Sequence, residues 1–276
     1  MNKSKYFALL TLFVFAVNNL FAQKESPYQT SFKYDAPAVV AGLGLSYLGV
    51  SLIKNKKNLS PTELAAKSKQ DVFFIDRFSA GNYSKKADEQ SYIPFYGSFA
   101  VAPIVALIDK KQRNHYGQIS VMFIETMSAA AASFTIAAGL VQRSRPLVYN
   151  NNLPVKNPDE LRSDKDEQRS FFAGHTTATA AATFFAAKVF SDFNPDSRLK
   201  PYVWAAAAAV PAVVGYQRLR AGKHFLTDNL LGYGVGAACG ILIPQLHKKT
   251  NSTNLSVSPV IGFDYQGMGL TYKFKN

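Results

Sequence analysis

The chain has 276 residues, 47% of them hydrophobic, and a mean hydropathy of −0.05. The length suits one helical domain, and the hydropathy argues against a chain made mostly of membrane helix; a soluble bundle or a membrane protein with long polar loops remain. The formal net charge of +13 favours anionic partners, namely phosphoesters, acidic lipid surfaces or nucleic acid, but we find no nucleic-acid-binding motif.

The first segment has the pattern of a secretory signal. Lys3 and Lys5 precede an apolar run from Phe7 to Val17, and Leu20-Phe21-Ala22 offers a small residue at a cleavage point. The run is shorter than the roughly 20 residues that a membrane crossing needs. We therefore expect residues 1–22 to be a cleaved signal peptide that directs the chain to the cell envelope, with an uncleaved anchor as the alternative.

Six apolar segments follow and predict six helices. They are rich in Ala and Leu and lack the alternation of a strand. Pro37, Pro94 and Pro201 stand at segment starts, where a missing amide N–H is tolerated. The sequence thus predicts an all-α bundle of about six helices over residues 23–250. The segments are Pro37–Ile53, Pro94–Ile108, Ile119–Val141, Phe171–Phe190, Tyr202–Tyr216 and Leu226–Leu246.

The tail, residues 251–276, differs in pattern. Apolar and polar residues alternate in two stretches between Leu255 and Phe274, which predicts a short C-terminal β-hairpin. Gln266-Gly267 is the expected turn. The pair of strands is too small to form a barrel by itself.

Two histidines and the cysteine lie outside the patches described below, and we expect no catalytic role for them. His115 and His247 stand beside lysines in loop flanks, so we expect both to be solvated. Cys239 is the only cysteine, which excludes an internal disulfide and a cysteine metal cluster. It lies in an apolar run, and we expect it to be a small buried packing residue.

Two patches at segment ends are suited to phosphate. Arg143-Ser144-Arg145-Pro146 ends an apolar helix, and two close guanidinium groups can hold phosphate oxygens; a positive flank on a membrane helix is the alternative. Gly174-His175 opens the fourth segment, where first-turn amides point at a bound anion and an imidazole can protonate a leaving oxygen. The alternative is a histidine without a function.

The third patch combines Arg218, His224 and Asp228. Five residues separate the arginine from the histidine, and three separate the histidine from the aspartate. If a helix begins near His224, the carboxylate of Asp228 lies one turn away and can hold one imidazole nitrogen, leaving the other free to attack phosphorus. An ion pair at the start of a basic helix is the alternative.

Together the three patches resemble the type 2 phosphatidic acid phosphatase superfamily, which includes membrane lipid phosphatases, secreted class A acid phosphatases and vanadium haloperoxidases. The family pattern is Lys-x6-Arg-Pro, then Pro-Ser-Gly-His, then Ser-Arg-x5-His-x3-Asp. Arg145-Pro146 matches the first motif, Gly174-His175 the second, and Arg218, His224 and Asp228 the third. The resemblance covers roughly residues 90 to 246.

The resemblance implies a role for each matched residue. His224 is the nucleophile that forms a phosphohistidine, Asp228 orients it, and His175 is the general acid. Arg145 and Arg218 bind the phosphoryl oxygens, with the backbone N–H of Gly174 adding to that cradle. The resemblance implies no metal and no cofactor.

The chain departs from the family pattern at three positions. Ala138 stands where the family has Lys, Phe172-Ala173 where it has Pro-Ser, and Gln217 where it has Ser. Arg143, Lys223 or Gln217 are candidate replacement donors. Since loss of one such donor commonly lowers the rate about 10²–10³-fold, a slow enzyme or an altered substrate is one expectation.

The leading hypothesis is therefore a phosphatase acting on a phosphomonoester or pyrophosphate of a lipid: phosphatidate, a polyprenyl pyrophosphate or lipid A. The alternatives are a soluble periplasmic acid phosphatase of broad specificity and a non-catalytic envelope protein. We expect a membrane-associated bundle with its site facing the periplasm. A cleaved signal and three crossings would instead place Arg145 inside. We therefore expect either that one early segment does not cross, with Pro94–Ile108 the weakest, or that none crosses.

Overall fold

The computed structural model describes residues 26–249, 255–261 and 266–272, so the expected signal peptide lies outside the described part of the chain. Six long helices form the bundle, which confirms the predicted all-α architecture. Shorter α-helical turns lie at Pro61–Ala65, Lys110–Arg113 and Pro158–Ser163, and 3₁₀ turns at Lys69–Asp71, Arg77–Ser79, Pro146–Tyr149 and Lys165–Gln168. The long helices are α1 (Phe32–Lys54), α2 (Lys85–Ile108), α3 (Tyr116–Leu140), α4 (Gly174–Phe193), α5 (Lys200–Arg220) and α6 (Leu226–Leu246).

Two of the three prolines expected at helix starts lie inside helices instead. Helix α1 begins at Phe32, before Pro37, because the Asp35 carboxylate accepts a hydrogen bond from the Ser31 amide at 2.7 Å. Helix α2 begins at Lys85, well before Pro94, and its N-cap side chain accepts from the third helical amide. Hydrogen bonds between side chains and backbone amides therefore accompany both helix starts, and proline marks neither.

Four of the described helices, α1, α2, α3 and α6, are long and apolar enough to cross a membrane. Helix α2 has 24 residues, so the expectation that it is the weakest crossing is wrong. The apolar run that begins at Pro94 is only its second half. The chain is thus a membrane protein by the length and composition of its helices.

Small residues let the helices approach closely. At Gly49 of α1 an added Cβ would lie 2.5 Å from the carbonyl carbon of Thr135 in α3. At Gly236 of α6 it would lie 2.1 Å from the carbonyl oxygen of Thr177 in α4. Such contacts are typical of helix packing in membranes. The α4–α6 contact sets the first turns of both helices side by side.

One end of the bundle holds the main apolar core and the start of the described chain. Tyr28 is fully buried there with Met122, Phe185 and Phe193. The Gln29 amide donates to the carbonyl of His247 at 2.8 Å, just after α6. Residues 26–31 therefore lie at the end of the bundle where α6 finishes, which we call the distal end.

The two histidines expected to be solvated lie at this distal end, and both expectations are wrong. His115 is buried, because it precedes α3 directly and its ring stacks on Phe193 with centroids 5.6 Å apart. His247 is half-buried, with Nε2 3.2 Å from a Glu125 oxygen and 3.3 Å from an Asp35 oxygen. Cys239 is half-buried rather than fully buried.

Strands β1 (Leu255–Ile261) and β2 (Gln266–Tyr272) in the tail pair in antiparallel register. Gln266 pairs with Ile261 and Gly267 with Val260, so the expectation that Gln266-Gly267 forms the turn is wrong. The connecting residues 262–265 are outside the described ranges, and the hairpin as a unit stays a prediction.

Candidate active site

The three motifs meet at the end of the bundle opposite the distal end. Arg145 follows α3 and precedes the turn Pro146–Tyr149, and His175 is the second residue of α4. Arg218 lies in the last turn of α5, and His224 lies between α5 and α6. Arg145 and Arg218 both act electrostatically on the two histidine rings, so the four side chains lie within range of charge interactions with one another. We call this group the candidate site.

The His224 imidazole is buried and held by one backbone group. Its Nδ1 lies 2.7 Å from the carbonyl oxygen of Ser170, so a proton on Nδ1 is donated to that oxygen and Nε2 keeps its lone pair. Burial, together with Arg145 and Arg218, holds the pKa of His224 well below its usual value near 6.5. The ring is therefore neutral, as a nucleophile requires.

The Asp228 carboxylate caps the start of α6 rather than holding the imidazole. It is fully buried and accepts from Ser170 Oγ at 2.6 Å and from the Phe225 amide at 3.0 Å. The expected direct contact with His224 is wrong, because α6 begins at Leu226 and the histidine precedes it. Ser170 links the two residues, through its hydroxyl to Asp228 and through its carbonyl to His224.

Arg143 is committed to carboxylates instead of being available to phosphate. Its guanidinium pairs with Asp76 at 2.7 Å and also with Asp228, and it lies over the Phe225 ring at 4.7 Å. Asp76 is fully buried and also accepts from the Thr227 amide at 3.0 Å. Arg143 therefore positions Asp228, and the prediction that it binds phosphate is not supported by these contacts.

Arg145 and Arg218 are buried with donors to spare. Arg145 pairs with Glu167 at 3.1 Å, and Arg218 pairs with Asp88 of α2. Within the described residues, the Nε of each arginine is buried and makes no hydrogen bond. Buried donors are normally paired, so an anion bound between the two guanidinium groups would satisfy both.

His175 faces the arginines from the first turn of α4. Its ring contacts Phe95 and Tyr92 of α2, with centroids 4.2 and 5.4 Å away. The positive charges of Arg218, Arg145 and Arg169 act on this ring. An anionic substrate would offset those charges, so protonation of His175 is expected to accompany substrate binding.

The first turn of α4 supplies backbone donors, but Ala173, directly before it, lacks the hydroxyl of the family Ser. Gly174 is its first residue, and an added Cβ there would lie 2.7 Å from the Phe134 ring. Ala173, in place of the family Ser, is fully buried, and its amide donates to the Asp228 carbonyl at 3.1 Å. First-turn amides of a helix have no helical acceptor, so those of α4 remain available for an anion.

Of the three candidate replacement donors, Lys223 is the best placed. Its Nζ lies 3.1 Å from Glu167, the same carboxylate that holds Arg145. Gln217 has a buried Oε1 with no hydrogen-bond partner among the described residues. Ala138 is fully buried and offers no donor. Lys223 and Arg145 thus form one basic group joined by Glu167.

Sequence reasoning missed the acidic residues that position the site. Asp76 and Asp88 lie 67 and 130 residues from the arginines that they hold, and neither belongs to a recognisable pattern. Glu167 stands in the polar loop before α4 without a marking motif. Ser170 stands four residues before Gly174, and its backbone carbonyl carries no sequence signal.

Comparison with known proteins agrees with the resemblance. Residues 118–252 match the sequence profile of the PAP2 superfamily. A lipid A 4'-phosphatase of Porphyromonas gingivalis is 31% identical over 88 residues, which are 32% of this chain and 34% of that protein. The chain therefore aligns with about a third of the length of this curated relative.

Two solved structures are also similar. The LpxE structure from Aquifex aeolicus is 19% identical, covers 63% of this chain and 97% of its own, and has a TM-score of 0.43. The transmembrane PAP2 type phosphatidylglycerolphosphate phosphatase of Bacillus subtilis is 18% identical, covers 86% and 94%, and has a TM-score of 0.39.

Proposed function

Residues 118–252 of this chain belong to the PAP2 superfamily, and from that premise we propose that the protein is a phosphatase that removes phosphate from a lipid through a phosphohistidine. The observation that carries the proposal is the His224 imidazole, neutral, buried and held by the Ser170 carbonyl beside Arg145 and Arg218. This is the environment of a nitrogen nucleophile facing an anion.

The proposed reaction has two steps. Nε2 of His224 attacks phosphorus while Arg145 and Arg218 neutralise the phosphoryl oxygens, and His175 gives a proton to the departing oxygen of the lipid alcohol. A water molecule then attacks the phosphohistidine, His175 takes a proton from that water, and inorganic phosphate leaves. Every group in this scheme belongs to the chain, the substrate or water.

A lipid substrate is supported by the setting of the site. Four of the described helices are long enough to cross a membrane. The site lies at the end of one of them, α3, and at the start of another, α6. The curated relative is named a lipid A 4'-phosphatase. We therefore propose lipid A as the first substrate to test, with phosphatidate and a polyprenyl pyrophosphate beside it.

We also propose that the site faces the periplasm. The short connection between α2 and α3, at the distal end, carries Lys110, Lys111 and Arg113, and Lys248 and Lys249 follow α6. Basic residues in short loops favour the cytoplasmic side. With six crossings this orientation needs residue 26 in the cytoplasm, whereas cleavage after Ala22 leaves residue 23 in the periplasm, so the two expectations exclude each other.

Labelling of intact cells separates the two orientations. In a Cys239→Ser background, Lys57→Cys places an exposed thiol at the end of the candidate site, and Lys110→Cys places one at the distal end. A membrane-impermeant maleimide that labels position 57 alone supports the proposed orientation. Labelling of position 110 alone supports the cleaved signal with a cytoplasmic site.

Phosphate release from purified protein tests the activity. The panel contains lipid A, phosphatidate, a polyprenyl pyrophosphate and a soluble aryl phosphate, each with the wild type, His224→Ala and the exposed control Lys57→Ala. Turnover of a lipid by the wild type and the control, lost in His224→Ala and insensitive to a chelator, supports the proposal. Turnover of the soluble ester alone indicates a broad-specificity acid phosphatase instead.

Absence of turnover on every substrate indicates a non-catalytic binding protein. The observation that favours this second candidate is the pair of fully buried alanines, Ala138 and Ala173, where the family has phosphate-contacting Lys and Ser. Binding of vanadate or phosphate without turnover is its expected signature.

A further inference from the structure

A short loop beside the candidate site exposes four apolar side chains. Exposed fractions are 52% for Phe73, 67% for Phe74, 41% for Ile75 and 64% for Phe78. They fall within seven residues, Val72–Phe78, of the polar connection between α1 and α2. A soluble loop would not be expected to hold so much aromatic surface in water, because exposed apolar patches usually mark a binding surface. We call Phe73, Phe74, Ile75 and Phe78 the aromatic loop face.

The loop is firmly anchored despite this exposed face. Its central residue, Asp76, is fully buried and accepts from Arg143 at 2.7 Å and from the Thr227 amide at 3.0 Å. The Arg77 guanidinium donates to the carbonyl oxygens of Val72 and Gln70, at 2.8 and 2.7 Å. The apolar side chains are therefore presented by a fixed backbone, rather than by a loop that can fold them inward.

The anchor places the loop at the level where α6 begins. Thr227 belongs to the first turn of α6, a helix of membrane-crossing length, and Val72 and Ala80 pack on Phe225, the N-cap of α6. One turn further along α6, Leu230 is 62% exposed. The aromatic loop face thus continues the apolar surface of a membrane-length helix at its end, which is the depth where Phe and Leu side chains of membrane-surface segments enter the boundary between headgroups and acyl chains.

We propose that the aromatic loop face inserts into the interfacial layer of the lipid leaflet at the end of the candidate site and holds that site at the depth of lipid phosphates. The proposal rests on the phosphatase function proposed above and specifies its substrate as a long-chain lipid phosphate presented in a bilayer. Asp76 links the aromatic loop face to the candidate site. It anchors the loop, and it also pairs with Arg143, which holds Asp228.

Kinetics with two kinds of substrate test the proposal. In the double variant Phe74→Ser/Phe78→Ser, kcat/KM for a long-chain lipid phosphate in vesicles is expected to fall at least 10-fold, because the site no longer sits at the lipid surface. Hydrolysis of a soluble aryl phosphate is expected to stay within twofold of the wild type. Both phenylalanine side chains are mostly exposed, and no hydrogen bond or ring contact joins them to the candidate site in the described part of the chain, so the chemistry itself is expected to be preserved.

A matched control is available at the distal end. Leu199 and Tyr202 are 59% and 73% exposed, and Leu199→Ser/Tyr202→Ser removes a similar apolar surface far from the site. This variant is expected to hydrolyse both substrates like the wild type. Three results would overturn the proposal. The loop variant could lose the same factor in kcat/KM on both substrates, or lose activity on neither. The control variant could lose as much activity on the lipid substrate as the loop variant does.

A depth measurement tests insertion without relying on activity. Trp204 is the only tryptophan, so Trp204→Phe/Phe74→Trp carries a single fluorophore in the loop. In reconstituted vesicles, lipids brominated near the headgroup are expected to quench it strongly, and aqueous iodide weakly. Strong iodide quenching with no quenching by brominated lipid would overturn the insertion and indicate a water-facing surface, such as one for a protein partner. This result stands whether or not the phosphatase function holds.

Discussion

The carbonyl oxygen of Ser170 lies 2.7 Å from Nδ1 of His224. The same residue donates its hydroxyl hydrogen to Asp228 at 2.6 Å. The aspartate therefore acts on the histidine through Ser170, and Arg143 and Asp76 hold the aspartate in turn. Orientation of the nucleophile depends on a chain of buried polar contacts that begins outside the sequence motifs.

The Ser170 hydroxyl can be tested without disturbing its carbonyl. We expect Ser170→Ala to lower kcat about 10-fold or more, since a hydrogen bond to a charged group contributes about 1.5–3 kcal/mol. Ser170→Thr keeps a hydroxyl and is expected to recover part of the rate. Steady-state kinetics check this, with KM for a soluble ester expected to change little. An unchanged kcat in Ser170→Ala would show that Asp228 does not need this contact.

The role of His175 as general acid predicts a dependence on the leaving group. We expect His175→Asn to lower kcat about 10²–10⁴-fold for an alkyl phosphate, whose alkoxide leaves poorly without a proton. For a nitrophenyl ester, which leaves readily, the loss should be far smaller. His224→Ala should abolish both reactions, because it removes the nucleophile. Equal losses on the two esters in His175→Asn would argue against proton donation.

The lowered pKa of His224 predicts activity in mild acid. A lowered pKa keeps the imidazole neutral as the pH falls, so the acid limb of kcat/KM that reports His224 should lie below pH 6.5. Arg145 contributes to this lowering, and Arg145→Gln is expected to move the limb toward higher pH as well as reduce the rate. Profiles from pH 4 to 8 for both proteins check this; a limb at the same pH in both would contradict it.

The backbone conformation at Gly222 leaves no room for a side chain. Its φ is +71°, and an added Cβ would lie 1.8 Å from the Asn82 carbonyl oxygen. The left-handed backbone alone costs a side chain about 1–2 kcal/mol, and the close contact adds to this. We expect Gly222→Ala to unfold in detergent at a lower temperature than the wild type. The control is Gly234→Ala in α6, where nothing lies within 4 Å and helix propensity favours alanine.

Loss of the ion pairs of His247 is expected to make the folded protein less stable at alkaline pH. Glu125 and Asp35 hold its charged form, and its pKa is raised to about 9 despite burial. A raised pKa stabilises the folded state fully below the unfolded value near 6.5, and this contribution is lost as the pH rises through about 9. Thermal unfolding between pH 6 and 10 should show this loss in the wild type. His247→Gln should remove this part of the pH dependence.

Local pattern alone determined much of the protein. Six apolar segments predicted six helices, because apolar runs of this length without alternation favour helix over strand. The spacing of Arg218, His224 and Asp228 selected the residues of the third motif. The structure brings Arg218 and His224 close to Arg145 and His175, whereas Asp228 is linked to His224 only through Ser170.

Contacts between distant segments decided the rest. Asp228 caps α6 and His224 turns to the Ser170 carbonyl because α6 begins after the histidine, and only the packed loops set that start. The partners of the arginines, Asp76 and Asp88, come from the connection before α2 and from α2 itself, and no spacing rule links residues so far apart in the chain. Burial of charge forces such pairs to form, but which segments supply them depends on how the helices pack.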